Sequence, residues 1–201
     1  IIWAPDNFHV PTDTEVVAIE QWLQERSGRT FIFIGRDYDA TMDYWIEVAK
    51  NATPDEQAML TLKLADVWGA HQVKRMAIID DEDCGWFKLN ADNTVRTIRS
   101  ARSTSDWLDG ISPGDLKMRL QSYFVESDKG RSSSFGRYEF DTQLFYQNIP
   151  LITRVQNRSK FNRGQIYVIA NGSFLLNVPL VHRTHRKLAS KLIDRVGRDK
   201  T

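Results

Sequence analysis

Residues 28–35 read Gly28-Arg29-Thr30-Phe31-Ile32-Phe33-Ile34-Gly35, and this stretch decides the fold. Five β-branched or aromatic residues stand between two glycines with no polar alternation. A strand with one wet face alternates apolar and polar side chains; a strand apolar on both faces is central and covered on both sides. Upstream, Ile1 to Ala4 is a short apolar run ending at Pro5-Asp6, which predicts a strand entering a loop. Thr12 and Glu15 have capping-box spacing, Val16, Ile19 and Leu23 share one helical face, and Gly28 closes that helix.

Downstream, Met42, Trp45, Ile46 and Ala49 mark a second helix. Thr53-Pro54-Asp55-Glu56 starts a third, with a cap, a proline at the first helical position and acids in the first turn. Met59, Leu60, Leu64 and Val67 give it a buried face, Gly69 ends it, and Met76 to Ile79 is the next buried strand. Residues 84–150 read differently, as an inserted or elaborated middle region. Trp86 to Leu89 and Thr94 to Ile98 look like a hairpin. A short helix follows around Leu116 to Tyr123, and Asp128 to Gly136 is a polar loop. The last fifty residues return to strands at 150–155 and 165–170, with a helix from about Pro179 to Val196. Strand–helix alternation at both ends predicts one α/β domain over 1–201, with three layers and a mostly parallel sheet. Its central strands are 30–34, 76–79 and 165–169.

The bulk composition suits that domain. Its 201 residues are 41% hydrophobic and 26% charged, and no stretch approaches the roughly 20 apolar residues of a membrane-spanning helix. The chain begins Ile1-Ile2-Trp3, so a cut-out of something longer is expected. Net charge is +1, but residues 151–201 hold 11 Lys and Arg against 2 acids, leaving 16 against 24 elsewhere. That asymmetry predicts a basic face, formed by Arg183, Arg186, Lys187, Lys191 and Arg195 on the last helix and pointing outward at an anionic surface such as phospholipid headgroups. Nucleic acid is disfavoured, because no stacking aromatics or recognition motif accompany the charge.

Chemistry has one candidate locus. Asp80-Asp81-Glu82-Asp83-Cys84-Gly85 follows an apolar run, where ligands sit beyond the carboxyl end of a strand. Oxygen-rich clusters suit Mg²⁺ or Ca²⁺, so Asp80, Asp81 and Asp83, with His9, make the candidate ligand or metal set of a metal-dependent hydrolase. Cys84 follows four carboxylates, which raise a thiol pKa, so it is a poor nucleophile. The favoured reading is a solvated acidic turn. His182 and His185 have metal-compatible spacing, but Arg183, Arg186 and Lys187 would repel a cation. Walker, dinucleotide-binding, C-x-x-C and G-x-S-x-G motifs do not occur, and no cofactor is expected. The six tryptophans fall mostly on apolar faces and read as core.

Ile149 to Arg154, Arg163 to Ala170, and Asn171-Gly172-Ser173-Phe174-Leu175-Leu176-Asn177 form a strand, glycine turn, second buried strand and small-residue turn before the last helix. With Asp6-Asn7-Phe8-His9, Trp22-Leu23 and 28–34 at the front, this order resembles glutamine amidotransferase-like domains of unknown function in bacterial membrane proteins. The relatives of the gliding-motility auxiliary component GldG are among them. The resemblance covers roughly residues 1–50 and 145–197. It implies a flavodoxin-like three-layer sheet, an extracytoplasmic or membrane-tethered domain and a membrane protein assembly as partner. Amidotransferase chemistry is not carried over, because Cys84 stands on no strand–helix elbow and no histidine follows it until His182. The expected function is therefore a non-catalytic ligand- or protein-binding domain of a bacterial membrane-associated protein.

Overall fold

The computed structural model describes residues 1–5, 7, 9–35, 41–76, 81–90, 96–116, 118–131, 137–157, 159–172 and 183–197. Strand β1 (Ile2–Trp3) leads through helix α1 (Asp13–Glu25) to β2 (Thr30–Ile34), and β1 and β2 pair in parallel. Thr12 and Glu15 form the expected capping box, and Gly28, at φ 77°, takes the left-handed turn after the helix. Helices α2 (Thr41–Lys50) and α3 (Pro54–Met76) follow as an antiparallel pair. Then come β3 (Phe87–Asn90), β4 (Arg96–Ile98), β5 (Arg102–Ser103), β6 (Met118–Leu120), β7 (Tyr123–Glu126) and a single turn α4 (Asp128–Arg131). The chain closes with β8 (Glu139–Tyr146), β9 (Ile149–Gln156), β10 (Gln165–Ile169) and helix α5 (Arg183–Gly197).

The fold is mixed α/β, built on a six-stranded sheet in the order β1-β2-β10-β9-β8-β5. All five residues of β2 are buried, and it pairs in parallel with β10, Phe31 opposite Ile166 and Phe33 opposite Val168. The expectation of a mostly parallel sheet is corrected: β10–β9, β9–β8 and β8–β5 are antiparallel, three pairings of five. Connection length explains it. Gln147-Asn148 and residues 157–164 are too short for the crossover that parallel neighbours need, so consecutive strands fold back on each other.

Both faces of the sheet are covered. On one, Phe31 and Phe33 stack against Trp86, Phe87 and Phe124, with ring centroids 5.1–6.0 Å apart. On the other, Tyr167 meets Trp107 edge-on at 5.9 Å. The segment 84–150 supplies β5 and β8 to the main sheet and two antiparallel ribbons, β3–β7 and β4–β6.

Several local expectations give way to this topology. The hairpin expected between 86–89 and 94–98 does not form among the described residues, since β3 takes β7 as partner and β4 takes β6. Where a helix is expected around 116–123, Met118–Leu120 forms β6 and Tyr123 begins β7: Leu116, Met118 and Leu120 are buried at a spacing of two, and that period overrides any helical face. Gly69 does not end α3, which continues to Met76; an interior glycine costs about 1 kcal/mol relative to alanine, and a long helix tolerates it. Of the strand expected at 76–79, Met76 belongs to α3 and 77–79 lie outside the described residues. Part of the polar loop, Asp128–Arg131, is helical. Trp86 and Trp107 are core tryptophans, whereas Trp68 stands exposed.

Candidate functional site

The acidic stretch is a tied-down turn. Asp80 lies outside the described residues. Asp81, at φ 72°, pairs with Lys88 at 2.9 Å, and Lys88 also reaches Asp128 at 3.2 Å. Glu82, which the expected ligand set leaves out, is the acid that meets His9: its carboxylate takes His9 Nδ1 at 2.7 Å and the Val10 amide at 3.2 Å. Asp83 accepts from Ser127 Oγ at 2.6 Å, the Gly85 amide at 2.7 Å, and the Asp128 and Lys129 amides at 3.0 and 3.3 Å. Burial pushes the Asp83 carboxyl up, but those donors outweigh it and hold the group below the usual carboxylate range. The three acids thus face three different sets of donors. Among the described residues, no three His, Cys, Asp or Glu side chains gather closely enough to hold a metal ion.

Cys84 is buried, and its thiol donates to the Phe87 carbonyl at 3.4 Å. Burial pushes its pKa up to about 12, so the thiolate needed for nucleophilic attack is scarcely populated near neutrality.

The carboxyl ends of the parallel pair β2–β10, where an open sheet would hold a ligand, are closely packed. A Cβ at Gly35 would lie 2.6 Å from the Phe124 ring, and one at Gly172 would lie 2.3 Å from Ile34 Cγ2. At Gly35 the Phe124 ring and the Ala170 carbonyl already occupy the space, and at Gly172 the Ile34 side chain does.

The sequence reading missed a polar network under α1. Glu20 accepts from Trp86 Nε1 at 3.0 Å, Tyr138 O–H at 2.5 Å and Lys160 Nζ at 3.3 Å, and Lys160 also donates to Tyr138 Oη at 2.8 Å. Burial, then the adjoining Glu20 carboxylate, raise the Tyr138 phenol well above its usual range. The one local clue was position: Glu20 interrupts the apolar face of Val16, Ile19 and Leu23, four residues after the first and three before the last. Its partners come from 66, 118 and 140 residues away, a distance no local pattern spans. All four groups satisfy one another, so the network is a polar clasp between α1 and the loops that cover the sheet.

The basic helix is docked rather than splayed outward. Lys187 donates to the Gly110 carbonyl, Lys191 to the Asp106 carbonyl, and Arg195 pairs with the Asp106 carboxylate. The Arg195 guanidinium also stacks over Trp107 at 5.1 Å, and Trp107 Nε1 donates to Gln143 at 2.8 Å. At a spacing of four, these cations form one stripe over the 3₁₀ turn Asp106–Leu108. The expectation that they project outward overlooked these partners in 106–110. Arg183 and Arg186 do stand exposed, Leu188 and Leu192 are buried, and Ile193, expected inward, is 65% exposed. His185 is buried and His182 lies outside the described residues.

Among the described residues, most of the exposed large hydrophobic side chains lie on α2 and α3. No residue of either helix whose burial is described is buried, and none joins the core. Tyr44 (56%), Met59 (75%), Leu62 (70%), Trp68 (57%) and Val73 (69%) stand exposed. The face expected to bury Met59 with Leu60, Leu64 and Val67 is therefore corrected: the last three are half-buried, and Met59 is exposed. Between the helices runs an open groove of about 860 Å³, with Trp45, Val48, Met59 and Leu60 on its apolar floor and Glu56, Lys63 and Asp66 among its rim. Lys63 sits 5.7 Å from the Trp45 ring. Contiguous apolar exposure of this kind marks an interaction site more often than it marks ordinary surface.

Compared with known protein families, curated proteins and solved structures, the chain finds no match.

Proposed function

We propose that this chain is a non-catalytic protein-binding domain whose recognition element is the α2–α3 hairpin. The observation that carries this is the exposure of Met59, Leu62, Trp68 and Val73 on a two-helix unit with no described residue in the core. An amphipathic groove with an apolar floor and a charged rim fits an apolar helix face from a partner. Three features support a non-catalytic role: the tied acids of 81–83, the buried thiol of Cys84, and the packed carboxyl ends of β2 and β10.

The resemblance to glutamine amidotransferase-like domains supports a finer proposal. The domain is a flavodoxin-like three-layer variant, in which the βαβ unit and β10 keep the parallel half of the sheet while hairpins build the other half. It serves a membrane protein assembly as an extracytoplasmic or membrane-tethered part, and its partner is a protein. Among the described residues, no helix is long and apolar enough to cross a membrane.

The test is fluorescence titration with the apolar dye ANS on the wild type and on Met59→Glu/Leu62→Glu. Dye bound by the wild type and lost in the variant, with far-UV circular dichroism unchanged, is the expected result. Equal binding by both would remove the hairpin as the recognition surface.

A further inference from the structure

We draw no further inference here: the strongest candidate, the open apolar groove between α2 and α3 that Trp45, Met59 and Leu62 line and Glu56, Lys63 and Asp66 rim, belongs to the binding surface already described, and nothing in the structure shows what covers it.

Discussion

Replacing Glu20 with alanine removes the one acceptor shared by Trp86 Nε1, the Tyr138 hydroxyl and Lys160 Nζ. A buried donor left unpaired costs about 1–3 kcal/mol, and more when the lost acceptor was charged. The Trp86 indole is buried, so its N–H carries the full penalty. Lys160 keeps its bond to Tyr138 Oη and is partly exposed, so its share is small. Together these give about 3 kcal/mol of destabilisation for Glu20→Ala, and about 1–2 kcal/mol for Glu20→Gln, which keeps an acceptor and loses the charge. Urea unfolding followed by tryptophan fluorescence reads this as a lower midpoint at unchanged m-value. A double-mutant cycle with Lys160→Met adds a coupling energy of about 0.5–1 kcal/mol, as neighbours in one network do. If Glu20→Ala unfolds within about 0.5 kcal/mol of the wild type, the range of an ordinary surface change, the clasp between α1 and the sheet-covering loops has been misread.

Asp83→Asn is expected to destabilise by about 2 kcal/mol at pH 7, because its donors lose a charged acceptor. The folded Asp83 pKa is depressed, so its contribution is complete above the unfolded value near 3.9 and is lost as pH falls through the folded value. The wild type should therefore lose stability below about pH 4 more steeply than the variant, and parallel acid limbs would refute this. Cys84 should resist the thiol reagent DTNB at pH 8 in the folded protein and react fully in urea, because its pKa near 12 leaves little thiolate; rapid native labelling would contradict its burial. Arg195→Ala should cost about 1–3 kcal/mol, through the lost pair with Asp106 and the lost stacking on Trp107, measured as a lower thermal midpoint. Asp106→Ala should couple with it in a double-mutant cycle, and additive effects would argue against the docking stripe.

Where the physics is local, the sequence was readable. The doubly apolar β2 and β10, the Thr12–Glu15 box and the α3 start at Thr53 are written in adjacent residues and appear as expected. Pairing is non-local, and there the sequence misled. Nothing in Phe87 to Asn90 states that its partner is Tyr123–Glu126 rather than the next apolar run, and the period-two burial of Leu116, Met118 and Leu120 is short enough to be taken for a helix turn. The cations of α5 illustrate the same limit, because counting acids only on their own helix ignored the Asp106 and Gly110 carbonyls that tertiary folding brings to them. The hairpin was legible as two helices, but its exposure was not. Apolar periodicity marks a face that seeks burial and is silent on whether the burying surface belongs to the same chain.

Hydrogen exchange of residues 41–76, followed by mass spectrometry at about 1 and 100 µM protein, bears most directly on the role of the hairpin as a binding surface. With no described residue buried, α2 and α3 should open far more readily than β2, β9 and β10 at the lower concentration. Exchange in the hairpin as slow as in the sheet at both concentrations would show that it is already buried by its own chain, and would contradict the account.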